Sequence, residues 1–425
     1  MFPGSSLLVT IVLALSVAAN PLFNHQNDYI RRSSPVITLQ TARHFNFTGT
    51  AKLLDLDRAR VAGLKNLASP KKQGGIHPDT IVGSVPATNQ ANQYVVDVNI
   101  GSPATTYTLL VDIASSNTWV GADQTYIQTG TTVQTQDTVA VTYGTGSMSG
   151  TEFNDRLAIG SALTIVGQSI GVATDVTGFS GVDGIMGLGP NGLTVGTLTP
   201  DTNQIVPTLT DSLFAQAVIQ QNLLAVSFEP TNTLSITNGE LTFGGTDSSK
   251  FVGSINFAPI TTTSPASRFF GIDQAIHFGQ GSSTPILSKT AGIFDTLTTL
   301  TMISSDAFAR YQTATGAVLD DATTLLKLTP AQFSNLKSLF FTINNVDFEF
   351  TADAQTWPRA LNTAIGGDAN SVYLIIANLN TPTGQGFDFV NGFTFLERFY
   401  TVYDTGSHRV GIANTPFTRA TSNQS

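Results

Sequence analysis

Short runs of Val, Thr and other apolar residues recur along the chain, separated by Gly, Asn and Asp. β-branched runs between turn-forming residues are typical of strands. Long segments with helical periodicity are scarce. The clearest is 211–220, with apolar residues at 213, 214, 217 and 218, which predicts a helix. A second segment, 43–66, alternates charged and aliphatic residues and is expected to be partly helical. The pattern therefore predicts a mainly β protein with short helices.

Two segments, 107–123 and 290–308, repeat one pattern. Each has an apolar run that ends in Asp, followed by two residues, a pair of hydroxyl residues and more apolar positions. The two aspartates, Asp112 and Asp295, are 183 residues apart. The pattern places each aspartate where a buried strand meets a turn. Two copies half a chain apart indicate a duplicated lobe, with the aspartates able to meet where the lobes join.

Five segments in this order extend the repeat into a family resemblance. They are "GSVPATNQANQYVVDVNIGSPATTYTLLVD" (83–112), "VTYGTGSMSGTE" (141–152), "GVDGIMGLGP" (181–190), "ELTFGGTD" (240–247) and "FTFLERFYTVYDTGSHRVGIA" (393–413). From about residue 84 to its end the chain resembles the pepsin-like aspartic proteases, and is most similar to their secreted basidiomycete members. The resemblance implies an all-β, bilobal fold with a central cleft. It also implies endopeptidase action at acidic pH.

The resemblance assigns roles residue by residue. It implies catalysis by Asp112 and Asp295, flap and substrate contacts by Tyr143, Gly144 and Thr145, and supporting contacts by Ser115, Trp119, Thr296 and Thr298. It implies no metal and no cofactor, protein or peptide substrates, and a monomer. Outside this context, ordinary hydrophobic packing would explain Tyr143 and Trp119 equally well.

The two catalytic loops depart from the family pattern, in which Thr and Gly follow each aspartate. Here Ile113 and Ala114 follow Asp112, and Leu297 takes the place of the second Gly. Ile113 lacks the hydroxyl that would bond across to the opposite loop, at a cost of about 1–3 kcal/mol if a buried group is left unpaired. Leu297 is expected to crowd the loops, at about 1–3 kcal/mol, and more if its backbone is left-handed.

These departures leave three interpretations open. The first is an aspartic endopeptidase that uses a two-Asp dyad. The second is a pseudoprotease that binds peptides or inhibitors without turnover, and the third is a structural secreted β protein.

The one Asp-Thr-Gly of the chain, at 404–406, is predicted to be structural. It falls on the segment that resembles the closing strands of the family. Asp112 and Asp295 are therefore the better candidates for the dyad, although neither loop spells the motif.

Composition excludes several other classes of protein. The chain of 425 residues has no cysteine, which excludes disulfides, thiolate metal sites and a cysteine nucleophile. Its five histidines show no metal-like spacing. The sequence "GLGPNG" (187–192) lacks the following helix and acidic residue of a dinucleotide site. No Lys/Arg-rich patch with interleaved aromatic residues is present, which argues against nucleic acid binding.

The first nineteen residues indicate where the protein is sent. The apolar run "LLVTIVLALSVAA" is short for a membrane span and ends in small residues, as signal peptides do. A signal peptide at 1–19 predicts a secreted, extracellular protein that is not bound to a membrane; the alternative is a short membrane anchor. We further expect a prosegment at 20–84, an N-terminal lobe at 85–258 and a C-terminal lobe at 259–425.

Charge is divided unevenly between leader and body. Residues 20–85 carry nine Lys/Arg and four acidic residues, a net charge of +5, whereas the remaining residues carry eleven and twenty-five, a net charge of −14. A basic leader can dock on an acidic body near neutral pH. Protonating the carboxylates of the body weakens that attraction, which suggests a proenzyme activated by acid. The alternative is a disordered leader without an inhibitory role.

Overall fold

Strands make up most of the regular structure, as the sequence predicts. The computed structural model describes residues 37–44, 52–68, 93–160, 163–281 and 285–424. The predicted signal peptide and the prosegment residues outside 37–44 and 52–68 lie outside the described residues.

Twenty-four strands are present in the described residues. They are β1 Ile37–His44, β2 Gln93–Ile100, β3 Thr105–Asp112, β4 Trp119–Val120, β5 Val133–Thr142, β6 Ser147–Ile159, β7 Leu163–Thr177, β8 Gly184–Gly187, β9 Leu198–Thr199, β10 Leu223–Ser227, β11 Ser235–Phe243, β12 Val252–Pro259, β13 Gly271–Phe278, β14 Pro285–Phe294, β15 Thr301–Ile303, β16 Val318–Leu319, β17 Leu326–Leu328, β18 Leu339–Ile343, β19 Val346–Phe350, β20 Val372–Leu374, β21 Ile376–Asn378, β22 Phe389–Asn391, β23 Phe399–Asp404 and β24 Arg409–Asn414. Five short α-helices join them: α1 Leu53–Ala68, α2 Leu209–Ala215, α3 Ser305–Thr315, α4 Pro330–Phe333 and α5 Phe393–Leu396.

The strands form three sheets. The largest has fourteen strands in the order β12-β24-β23-β10-β11-β1-β2-β3-β8-β4-β7-β6-β5-β9. A seven-stranded sheet, β19-β18-β13-β14-β22-β15-β21, and a three-stranded sheet, β16-β17-β20, are built from the second half of the chain. The largest sheet thus contains the strands of the first half of the chain together with the last two strands, β23 and β24. The end of the chain is therefore joined to its first half by strand pairing.

The predicted internal duplication appears as a repeated strand crossing. β3 pairs in parallel with β8, which places Asp112 opposite Gly187. β14 likewise pairs in parallel with β22, which places Phe294, the residue before Asp295, opposite Asn391. A Cβ atom on Gly187 would lie 2.5 Å from the Ser116 carbonyl carbon, so the first crossing requires a residue without a side chain. Each aspartate therefore stands at the end of a strand covered on both sides.

Helix α2 confirms the predicted helix but has different ends. It begins at Leu209, because Thr208 and Asp211 form a reciprocal capping box. It ends at Ala215, and Ala217 has a positive φ of 56°. The apolar residues after Ala217 therefore leave the helix, although their spacing fits a helical repeat.

The leader contributes a strand and a helix to the described structure. β1 lies inside the large sheet, between β11 and β2, and Arg43 on it forms a buried ion pair with Glu397, with 2.9 Å between Nη1 and Oε1. Helix α1 lies in the segment expected to be partly helical and buries an apolar face of Leu53, Leu54, Val61, Leu64 and Ala68. Both leader elements are packed against the body.

Candidate active site

Asp112 and Asp295 are both completely buried and receive matching hydrogen bonds from their own loops. Asp112 accepts the N–H of Ala114 on Oδ1 at 2.9 Å and the hydroxyl of Ser115 on Oδ2 at 2.6 Å. Asp295 accepts the N–H of Leu297 on Oδ1 at 3.1 Å and the hydroxyl of Thr298 on Oδ2 at 2.6 Å. Each carboxylate thus has one backbone donor two residues on and one hydroxyl donor three residues on.

The two loops are joined through Thr296. Its hydroxyl donates to the carbonyl oxygen of Val111 at 2.6 Å and accepts the N–H of Ile113 at 3.2 Å. Ile113 is fully buried and has no hydroxyl with which to make the reciprocal pair. One side of the cross-loop connection is therefore present and the other has no donor, as expected from the sequence.

Leu297 differs from the expectation of a strained backbone. It does not lie in the left-handed region of φ, and its amide still donates to Asp295. The side chain is half-buried and packs against the cluster that contains Trp119 and Tyr143. It lines one pocket with Arg60 of the leader and Thr145 of the flap tip. The crowding expected between the two loops stays a prediction.

The flap is the hairpin of β5 and β6, with its tip at residues 143–146. Tyr143 is buried and its hydroxyl accepts the indole N–H of Trp119 at 2.8 Å. Phe179 packs edge-on against both rings, with centroids 5.2 Å from Trp119 and 5.4 Å from Tyr143. Gly144 has a φ of 82°, a conformation that favours glycine at the tip. The structure thus brings together the flap and indole residues that the sequence indicated.

The dyad is occupied by a leader residue that sequence reasoning did not identify. Nη2 of Arg60, on α1, donates to both oxygens of Asp112 at 2.8 and 2.9 Å and to Oδ1 of Asp295 at 3.1 Å. Its Nε donates to Oδ2 of Asp295 at 3.0 Å. Arg60 is 2% exposed. A single guanidinium therefore bridges the two carboxylates.

The charges at this bridge are strongly interdependent. Burial raises the pKa of Asp112 above its usual range; the charge of Arg60 lowers it, and the neighbouring Asp295 raises it again. Burial would lower the pKa of Arg60, but the two carboxylates raise it above its ordinary value. The guanidinium is thus fixed in its charged form. It supplies the positive charge that two buried carboxylates need if both are to ionise.

Helix α1 also fits closely against the flap tip. A Cβ atom on Gly63 would lie 2.4 Å from the amide nitrogen of Gly144, and a Cβ atom on Gly144 would lie 2.0 Å from the carbonyl oxygen of Ala59. Real Cβ atoms are not found at such distances. The contact between helix and flap therefore requires glycine on both sides.

Asp404 is the last residue of β23 and lies before the turn that leads into β24, on the segment predicted to form the closing strands. Its Oδ1 accepts the N–H of Ser407 at 2.9 Å and its Oδ2 accepts Nε of Arg409 at 2.7 Å. These bonds close the β23–β24 hairpin. Elsewhere in the described ranges, no group of three or more His, Cys, Asp or Glu could bind a metal ion.

Comparison with known proteins gives one family. The family described as "Eukaryotic aspartyl protease" matches residues 93–415. Polyporopepsin of Irpex lacteus is 64% identical over 341 residues, which cover 80% of this chain and 99% of the relative. Rhizopuspepsin of Rhizopus chinensis is 30% identical over 431 residues, covering 96% and 98%. The crystal structure of the aspartic proteinase from Irpex lacteus aligns with a TM-score of 0.76 over 80% of this chain and 99% of that one.

Proposed function

The chain belongs to the eukaryotic aspartyl protease family, and on that premise we propose that it is the secreted proenzyme of an aspartic endopeptidase, with Asp112 and Asp295 as its dyad and α1 as its inhibitor. The observation that carries the proposal is the guanidinium of Arg60, which contacts both carboxylates within 3.1 Å. Two carboxylates that one cation can bridge are close enough to share one proton once that cation has left.

The dyad supplies both an acid and a base for peptide hydrolysis. One carboxylate takes a proton from a water molecule between the two aspartates, and the water oxygen attacks the carbonyl carbon of the peptide bond. The other carboxyl gives its proton to the carbonyl oxygen. The tetrahedral intermediate collapses as the C–N bond breaks: the amine takes a proton from one carboxyl group of the dyad, and a hydroxyl group of the intermediate returns its proton to the other, which restores the shared proton. The shared proton belongs to the pair, so neither aspartate has a fixed role.

The flap provides the means to exclude water and position the peptide. The hydrogen bond between Trp119 and Tyr143 fixes the tyrosine at the start of the flap tip. The glycines of the tip leave backbone groups accessible to an extended peptide, which can bind in the manner of an added strand. Thr145 lines the same pocket as Arg60 and Leu297, so the tip lies over the position that a substrate would take.

The local bonds of the loops favour an enzyme over a pseudoprotease. Ala114 and Leu297 supply the same backbone N–H that a glycine would supply, and Ser115 and Thr298 supply the hydroxyls. The altered positions remove one cross-loop donor and narrow the cleft, but they leave the contacts of both carboxylates intact. A non-catalytic peptide-binding protein is the alternative outcome of the test below.

The placement of α1 supports an acid-activated precursor. Arg60 fills the site of the catalytic water, and Gly63 lies against the flap tip. The leader is basic and the body acidic, so acid weakens the attraction between them by protonating body carboxylates. The predicted signal peptide at 1–19 supports secretion. No helix among the described residues is long and apolar enough to cross a membrane.

One assay tests the proposed activity. Protein recovered from the culture medium is held at about pH 3–5, the range in which carboxyl groups titrate, and given denatured haemoglobin with and without pepstatin. We expect cleavage that pepstatin abolishes and that the Asp295→Asn variant lacks. Peptide binding without pepstatin-sensitive cleavage would instead establish the non-catalytic alternative. The N-terminal sequence of the medium protein tests secretion, and a start at Met1 would contradict it.

A further inference from the structure

The loop that follows Asp295 binds a second side chain of α1, the carboxyl group of Asp57. The N–H of Thr299 donates to Oδ1 at 2.9 Å and the N–H of Leu300 donates to Oδ2 at 2.8 Å. The hydroxyl of Thr299 adds a further hydrogen bond. Asp57 is 3% exposed. Each carboxyl oxygen thus has its own backbone donor, in a site built from the main chain of the body.

Contacts within the body fix the shape of this site. The carbonyl oxygens of Thr298 and Thr299 accept the N–H groups of Phe393 and Thr394 at 2.9 and 3.2 Å. A Cβ atom on Gly392 would lie 2.3 Å from the carbonyl oxygen of Leu300, so the start of α5 is packed directly against the loop. None of these contacts involves α1. The two N–H groups therefore keep their direction when α1 leaves.

The site opens into the cleft that a substrate would occupy. Asp57 and Thr299 line one pocket together with Arg60, with Thr145 of the flap tip and with Leu297 beside the dyad. We propose that the N–H groups of Thr299 and Leu300 form a carboxyl-binding subsite of the released cleft, which selects peptides with an acidic side chain. The subsite rests on the release of α1 proposed above and adds a substrate class to it.

The site distinguishes an acid from an amide. Burial raises the pKa of Asp57 to about 7, against the opposing effect of the Thr299 and Leu300 donors, and the charge of Asp295 raises it further. Asp57 is therefore bound in its neutral form at acidic pH. Both oxygens of a carboxylic acid still accept hydrogen bonds, whereas the NH₂ of an amide cannot. A Gln or Asn side chain would leave one of the two backbone donors unpaired.

The first experiment tests the carboxyl site in the full chain. Trypsin is added near neutral pH, and cleavage after Arg60 reports how often α1 leaves the cleft, because buried Arg60 is inaccessible while docked. We expect Asp57→Asn to speed this cleavage about tenfold, the effect of one unpaired buried donor. Asp55→Asn is the matched control, since this substitution removes the same charge from an exposed position of α1. Equal rates for the two variants would overturn the proposal.

The second experiment tests the substrate class by binding, which needs no turnover. The whole chain is made with a specific protease site between residues 68 and 93, cut, and freed of its leader in acid. The remaining body corresponds in size to the Irpex lacteus chain, whose structure is solved without any further segment. The probes are peptides with a reduced, uncleavable central bond between apolar residues, with Glu or Gln placed in turn at each other position.

We expect one position at which Glu binds about tenfold more tightly than Gln at pH 4–5. Thr299→Val removes the hydroxyl that also bonds Asp57 and keeps both backbone N–H groups, so it should lower that preference only in part. A peptide whose only free carboxyl group is its C-terminus tests whether the subsite binds a terminal carboxyl group instead of an acidic side chain. Absence of any Glu preference at every position tested would overturn the proposed subsite. Because the assay measures binding, it gives an answer even if haemoglobin is not cleaved.

Discussion

The two catalytic loops differ greatly in sequence and very little in how they bind their aspartates. The first reads Asp-Ile-Ala-Ser and the second Asp-Thr-Leu-Thr. In both, a backbone N–H two residues on and a hydroxyl three residues on donate to the carboxyl group. The N–H is available from any residue except proline. The hydrogen bonding of each carboxyl group in these loops therefore does not require the glycine that the family resemblance leads one to expect at positions 114 and 297.

The loops do differ in what they bind beyond their own aspartates. Thr296 of the second loop makes both cross-loop bonds, and the N–H groups after it bind Asp57 of the leader. The first loop offers an apolar Ile113 at the matching position. The two halves thus hold the aspartates of the proposed dyad in the same way, but they contribute unequally to the connection between the loops and to the binding of the leader.

The largest effect should come from removing either of the two aspartates, which the loops hold in the same way. Asp112→Asn and Asp295→Asn each remove one partner of the shared proton, and each should lower the rate of peptide hydrolysis by about 10²–10⁴-fold. Steady-state assays at acidic pH measure both losses. A variant that retained most of its activity would show that its aspartate is outside the dyad.

The difference between the loops is tested at Thr296, which makes both cross-loop hydrogen bonds, and at Ile113, which occupies the matching position of the first loop. Thr296→Val removes two buried hydrogen bonds and should lower the free energy of unfolding by about 1–3 kcal/mol, with a loss of up to about a hundredfold in rate if the loops shift by 1 Å. Ile113→Val is the control, expected to cost about 0.5–1.5 kcal/mol with little change in rate. Urea unfolding and kinetic assays measure the two quantities. Equal rate losses in both variants would contradict the asymmetry.

Much of this site follows from the sequence, and the rest depends on contacts between distant residues. The repeated pattern of an apolar run that ends in Asp locates both aspartates, and the family resemblance identifies Ser115 and Thr298 as their hydroxyl partners. The leader carries nine basic residues, and nothing in the local pattern distinguishes Arg60, which meets residues 52 and 235 positions away. Glycine disfavours a helix, and its presence at position 63 is explained only by the close approach of the flap backbone. The packing of the Leu297 side chain against the cluster of Trp119 and Tyr143 could not be predicted either, because it joins residues far apart in the sequence.

The flap contact of α1 can be tested with a substitution that normally stabilises helices. Gly63→Ala should favour helix formation by about 0.5–1 kcal/mol, yet its Cβ atom would overlap the flap backbone, at about 1–3 kcal/mol. We expect weaker docking and a several-fold faster trypsin cleavage after Arg60. Ala62→Gly, at an exposed neighbouring position, weakens the helix without touching the flap. Slower cleavage in Gly63→Ala than in the parent would show that the helix and flap are not in contact.

The contact between α1 and the second loop should also depend on pH. Asp57 has its pKa raised to about 7 in the docked helix, compared with 3.8 for an ordinary Asp. The part of its contribution to docking that depends on protonation is therefore complete below about pH 4 and is lost as the pH rises through 7, whereas the hydrogen bonds from Thr299 and Leu300 remain. Asp57→Asn lacks this contribution. Thermolysin cleavage of α1 should thus show a variant-to-parent ratio that grows about tenfold or more from pH 7.5 to 5.5. A constant ratio would contradict the raised pKa.

We expect the altered loops to form a working dyad, and one comparison of two proteins tests this most directly. The parent and the triple variant Ile113→Thr, Ala114→Gly, Leu297→Gly are released from their leaders and assayed on one peptide at pH 4, with and without pepstatin. We predict pepstatin-sensitive turnover by both, with rates within about a hundredfold, the cost of a displacement of about 1 Å. Turnover by the triple variant and none by the parent would show that the three altered residues abolish catalysis even though the hydrogen bonds to both carboxyl groups are present.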